Sequence, residues 1–133
     1  MLRDLKNNMS CYQSLAPAAR TASADGAAVD LQGQKAAMVC FDIGAWTNGV
    51  FTLLVKECDT EGGSYTEVAA ADLEGSLTVV DGAADDMIVQ RVGYKGSKRY
   101  IKACIAEGSS PAPGTGVVIG GCVCTEPLAK PAA

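Results

Sequence analysis

Apolar and polar residues alternate along this chain in short runs, with a period of two and never for long with a period of 3.6. Segments rich in Val, Ile, Thr, Tyr and Phe recur between clusters of Gly, Asn, Asp, Ser and Pro, the pattern of half-buried strands joined by turns. Eight segments carry it: 28–32, 37–43, 50–58, 65–68, 76–80, 87–94, 99–106 and 116–124. Eight short strands predict an all-β domain, an antiparallel, jelly-roll-like β-sandwich. Asn48-Gly49 and Lys95-Gly96-Ser97 supply residues that tolerate positive φ, as tight hairpin turns require. Asp59–Ser64 reads as a third turn, and residues 109–116 as a longer loop whose prolines keep it out of a central strand.

The ends lack this pattern. Residues 1–26 read as an arm with one brief extended piece, S-C-Y-Q-S-L, stopped at Ala16-Pro17. Residues 27–126 are the expected sandwich, and 127–133, with Pro127 and Pro131, a short extended tail. No internal repeat is present.

Strand parity also predicts where the cysteines point, because successive side chains take opposite faces. Val39, Phe41 and Ile43 form one apolar face, leaving Cys40 with Met38 and Asp42. Phe51, Leu53 and Val55 oppose Lys56 and Cys58. Ile101, Ala103 and Ile105 oppose Lys102 and Cys104. Val117, Ile119 and Val123 oppose Cys122 and Cys124, in a strand apolar on both faces. Free cysteine is ordinarily buried, yet all these readings turn the thiols outward. Cys122 and Cys124 lie two strand steps apart, about 6.6 Å, with parallel Cβ vectors, so they are not expected to bond each other. If 37–43 and 50–58 form a hairpin, Cys40 lies diagonal to Cys58, and a bridge between them is not favoured by register.

Other thiol chemistry lacks its usual motif. A zinc or iron–sulfur site ordinarily needs two C-x₂-C knuckles on turns, and the chain has a single C-x-C on an expected strand. A thiol redox enzyme needs C-x-x-C at a helix start, which is absent. No metal and no cofactor is therefore expected. The chain contains no histidine, so the commonest general base and every His-assisted nucleophile are missing as well, and no catalytic residue is assigned. Intermolecular disulfides are the leading expectation for Cys11, Cys40, Cys58, Cys104, Cys122 and Cys124.

Composition narrows the partners. At 133 residues the chain suits one domain with a core of its own. Eleven basic against 15 acidic residues give a net charge of −4, which disfavours nucleic acid and anionic membranes. Lys95, Lys98, Arg99 and Lys102 read as solvated charges on a hairpin, because interleaved aromatics are sparse. Asp59 and Glu61, and Asp81, Asp85 and Asp86, lack the ligand spacing of a calcium loop and read as turn residues. Aromatic content of 5% is low for a sugar-binding face, so packing is expected for Trp46. The charged start M-L-R-D-L-K-N-N has no apolar h-region, so synthesis in a cytoplasm without a secretory signal is expected. No run is long enough to span a membrane.

Several segments together carry a resemblance: D-L-K-N-N (4–8), Q-S-L-A-P-A-A-R-T (13–21), V-D-L-Q-G (29–33), G-A-W-T (44–47), K-E-C-D-T-E-G-G-S-Y-T-E-V (56–68), A-D-L-E-G (71–75) and V-G-Y-K-G-S-K-R-Y-I (92–101). Over residues 2 to about 106 the chain resembles minor capsid or head decoration proteins of tailed bacteriophages. The resemblance implies a structural virion protein, made in the bacterial host cytoplasm, that decorates the capsid exterior and does no chemistry. Its partners would be the major capsid protein and other capsid or linker proteins, with a homo-oligomer, such as a trimer, expected. Proteins of this look are usually poor in cysteine, so six here is a departure, and it suggests a covalently cross-linked shell. The rival expectations are a carbohydrate-binding or tail-associated β-sandwich adhesion module and a thiol redox enzyme.

Overall fold

A computed structural model describes residues 4–108 and 116–127. Ten strands occur among these residues: β1 (Ser10–Arg20), β2 (Ala24–Asp25), β3 (Val29–Asp30), β4 (Gln34–Trp46), β5 (Phe51–Cys58), β6 (Thr66–Glu67), β7 (Leu73–Glu74), β8 (Ile88–Tyr94), β9 (Tyr100–Glu107) and β10 (Val117–Pro127). The only helical elements described are two 3₁₀ turns, Ala70–Asp72 and Ala83–Asp85. The described residues are nearly all β in class, as the alternation predicts.

The strands form two antiparallel sheets. One has the order β1-β10-β4-β8-β7; the other has β2-β9-β5-β6, with β3 also paired to β9. The pairings are nested: β1 with β10, β2 and β3 with β9, β4 with β8, and β5 with β6. The path is a long antiparallel hairpin folded over on itself, closed by β10 against β4 and β9 against β5.

Between the sheets lies one core. Val39, Phe41, Ile43, Phe51, Leu53, Val55, Ile101, Ala103, Ile105, Val117, Ile119 and Val123 are all buried within it. They are the apolar phase of each strand's alternation. Burying each large aliphatic or aromatic side chain contributes about 1.5–3 kcal/mol, which fixes the register, because a slip of one residue would turn the whole set to water. Ser14 and Thr125 are the buried polar residues among those described; the Ser14 hydroxyl donates to the Ala27 carbonyl (2.7 Å) and accepts from the Ala103 N–H (2.9 Å), so a buried group is satisfied while linking β1 to β9.

Four expectations are corrected. The N-terminal segment is no loose arm: β1 runs through Pro17 to Arg20 as an edge strand on β10, shifting register between Gln13 and Ala18 to do so, and proline is tolerated at such edges. The Asn48-Gly49 and Lys95–Ser97 turns do not close hairpins. Both carry the chain from the first sheet to the second, β4 to β5 and β8 to β9, and Gly49 takes the positive φ of 99°. The physical reason is pairing choice: by leaving β5, β4 gains β10 along its whole length and β8 over residues 37–43. Residues 76–80 form no strand; they meet the sheets at an isolated bridge, Val80 to Phe51, and through the Gln90 side chain of β8, which bonds the Thr78 backbone. The 28–32 segment shortens to Val29–Asp30. Residues 128–133, and 109–115 of the proline loop, lie outside the described residues.

Candidate functional site: a thiol cluster on the first sheet

The nested pairing makes β10 an interior strand flanked by β1 and β4. Register then sets Cys124 directly opposite Cys11 and Cys122 directly opposite Cys40. Directly opposed residues share a face, as do residues two apart on one strand. All four cysteines therefore stand on the outer face of the first sheet. Cys11 Sγ donates to Cys124 Sγ at 3.4 Å, and Cys122 Sγ lies 4.0 Å from Cys124 Sγ. The sulfurs of Cys40, Cys122 and Cys124 all fall within 4.8 Å of one another. None of the six cysteines is in a disulfide; Cys11 is exposed and the other three of the cluster are half-buried.

Gly120 and Gly121 make this geometry possible. A Cβ on Gly120 would sit 2.9 Å from Pro17 Cγ, and one on Gly121 would sit 2.9 Å from Ala103 Cβ on the opposite sheet. The first glycine lets β1 cross the outer face; the second lets the two sheets close. Beside the thiols runs an apolar groove of about 380 Å³, lined by Pro17, Cys40, Asp42, Val89, Gly120 and Cys122 among others. A neighbouring depression of about 300 Å³ is lined by Met9, Met38 and Cys124.

Crowding raises the pKa of two of these thiols, Cys40 and Cys124. Burial pushes Cys40 up, with the adjacent Cys122 adding to it, while the Arg91 guanidinium across the β4–β8 pair draws it down. Burial likewise raises Cys124 well above the ordinary thiol range, reinforced by the hydrogen bond from Cys11 and by the charges that Cys122 and Cys40 would carry. Both shifts favour the protonated thiol at Cys40 and Cys124.

The two remaining cysteines belong to the second sheet. Cys104 stands opposite Leu54 on the outer face, as parity predicts, but it is fully buried. The expected exposure is corrected here. Strand β2 pairs Asp25 with Cys104 across β9, and Lys56 and Lys102 reach over to the Asp25 carboxylate at 3.1 and 3.7 Å. Burial, with the Asp25 hydrogen bond, pushes the Cys104 thiol up to about 11. Cys58 ends β5 at the rim and is half-buried; its Sγ lies 3.7 Å from Thr60 Oγ1. The Thr60 backbone N–H, with smaller help from the Thr60 hydroxyl and the Asp59 N–H, lowers its pKa. Cys40 and Cys58 lie in different sheets, which removes the bridge considered between them.

The other candidate groups are absorbed by structure. Lys95 pairs with Glu74 (3.1 Å), Lys98 with Asp59 (2.9 Å) and Arg99 with both oxygens of Asp30 (2.8 and 2.9 Å). Lys102 also lies over the Tyr65 ring at 4.1 Å, so the basic cluster is neutralised by acidic partners. Trp46 is half-buried against the core and donates from Nε1 to the Gly49 carbonyl at 3.0 Å, bracing the crossover turn. Asp86 accepts the Trp46 backbone N–H at 3.1 Å, and Asp81 is raised by its hydrogen bond with Asp85.

No family model matches the chain, and no curated protein or solved structure matches it either. Sequence reasoning assigned outward faces to Cys40, Cys122 and Cys124 but missed their convergence with Cys11. The signal available was parity; the missing information was that β10 lies between β1 and β4.

Proposed function

We propose that this chain is a non-enzymatic structural protein of a phage virion, a jelly-roll domain that decorates and stabilises the capsid exterior and is covalently linked to a neighbouring shell protein through a disulfide. The nested strand pairing carries the reading: a double-sheet jelly roll is an architecture that recurs in viral capsid and lectin domains. The sequence resemblance over residues 2 to about 106 supports the capsid branch. Against the lectin branch, Tyr12 is the one aromatic among the large hydrophobic side chains exposed in the described residues. The exposed apolar residues are aliphatic or Met, including Met87, Val89 and Val118, and they suit contact with another protein surface.

Among the six cysteines, Cys58 is the one we assign to the intermolecular bond. It stands at a rim, away from the four-thiol face, and its lowered pKa favours the thiolate that exchanges with or oxidises onto a partner thiol. The link forms outside the reducing cytoplasm, with an external disulfide or oxygen taking up the two electrons and two protons. Once formed, it holds the broken contact at high effective concentration. Non-reducing electrophoresis of intact particles tests the reading. A reducible adduct of this chain with a shell protein is expected, lost in Cys58→Ser and kept in Cys104→Ser. A chain that is absent from purified particles removes the virion reading itself.

A further inference from the structure

Three sulfurs gathered from two adjacent strands, Cys40, Cys122 and Cys124, lie close enough together for one ion to touch all three, and Cys11 stands beside the third. We infer that Cys40, Cys122 and Cys124 form a binding site for a thiophilic divalent metal ion, zinc being the probe ion of choice, with the fourth position open to the groove. A tetrahedral zinc–thiolate centre has Zn–S bonds of about 2.3 Å, which sets its S···S edges at about 3.8 Å. The Cys122–Cys124 separation is 4.0 Å and no sulfur of the three is more than 4.8 Å from another. Small side-chain rotations close the difference. The sheet holds the three Cβ atoms in place, since β10 is hydrogen-bonded on both sides, so the site is preorganised by backbone rather than by a turn.

The donor set and its surroundings fit such an ion. Three sulfurs with no carboxylate among them select soft or borderline metals over calcium or magnesium. Binding converts three thiols to thiolates and releases three protons, with no change of oxidation state. The resulting centre carries a net charge of −1 when the ion is divalent. Arg91, directly opposite Cys40 on β8, supplies a compensating charge. Cys11, whose Sγ donates to Cys124 Sγ at 3.4 Å, supplies the outer-shell hydrogen bond that a metal thiolate ordinarily accepts. Asp42, which lines the same groove, stands opposite Gly120 on the same face. The groove leaves room for water or for a donor from a neighbouring protein at the fourth position.

The inference stands apart from the virion reading and uses neither Cys58 nor Cys104. It is tested on the full chain, reduced and kept anaerobic, by titration with Co²⁺. One equivalent is expected to give the sulfur-to-cobalt charge-transfer absorption and the intense d–d bands of a tetrahedral thiolate centre, and one equivalent of Zn²⁺ to bleach them. Cys122→Ser and Cys40→Ser are each expected to lose these bands while keeping the β-sheet circular dichroism, and Cys58→Ser to retain them. Failure of the folded, fully reduced wild-type chain to bind either ion at stoichiometric concentration overturns the site, even if the variants do not fold. So do bands that survive in Cys122→Ser. Isolation under anaerobic conditions with Cys40–Cys122 and Cys11–Cys124 joined as disulfides, and no metal bound after reduction, shows a pair of cross-strand staples in its place.

Discussion

At the scale of single residues, the six cysteines divide by environment and not by sequence. Cys104 shows how far two thiols of the same parity can differ. Both it and Cys58 stand on the outer face of the second sheet, yet Asp25, Lys56 and Lys102 cover one and leave the other at a rim. Brief treatment of the native protein with a thiol-specific reagent near neutral pH should therefore label Cys58 well before Cys104, as read by peptide mass spectrometry. Equal labelling would mean that β2 does not cover β9. The same environment gives a pH effect of definite sign. A thiol raised from 9.0 to about 11 in the fold is more easily ionised in the unfolded chain. Its contribution to stability is fully present below pH 9 and is lost as pH rises through 11. Cys104→Ala should flatten the fall in denaturant midpoint over that window; an unchanged slope would assign the fall to other groups, Tyr94 among them, whose hydroxyl is also raised by burial.

At the scale of elements, β1 is the most consequential correction. As a loose arm it would be dispensable. As an edge strand it covers β10, places Cys11 beside Cys124, seats Leu15 in the core and carries the Ser14 hydroxyl to β9. Deleting residues 1–20 removes a buried leucine, about 1.5–3 kcal/mol, and leaves the Ala103 N–H without its partner, about 1–3 kcal/mol more. A loss of about 2.5–6 kcal/mol follows, a large share of the ~5–15 kcal/mol of an ordinary domain. It also bares the β10 edge to strand addition. The truncated chain should melt at lower temperature and self-associate in light scattering; a monomer of undiminished stability would return the segment to the status of an arm. The alternation of β1 was readable in S-C-Y-Q-S-L, but its continuation through Ala16-Pro17 was not. Local chemistry stops a strand at proline, and only the register shifts against β10 show how this one proceeds.

For the whole molecule, nesting of the chain has a kinetic consequence. The first long strand pairs with the last, and each pair outward from β5–β6 closes a longer loop. Folds dominated by such pairings lose chain entropy before gaining contacts and refold in about milliseconds to seconds. Stopped-flow refolding of the reduced chain should fall in that range, and a microsecond phase carrying the full amplitude would contradict it. The apolar phase of each long strand, Val39-Phe41-Ile43 through Val117-Ile119-Val123, was legible because strand periodicity is local and burial rewards it directly. So were the all-β class and the outward direction of Cys40, Cys122 and Cys124. Which strand lies beside which was not legible. The turns at Asn48-Gly49 and Lys95–Ser97 reverse the chain equally well within a sheet or between two, and the choice belongs to partners distant in sequence. The amino-acid sequence by itself determined the period of the strands, the face of each residue and the absence of histidine chemistry. The tertiary structure decided the order of the strands, and with it the meeting of Cys11, Cys40, Cys122 and Cys124, because proximity across a sheet depends on long-range pairing that no local pattern encodes.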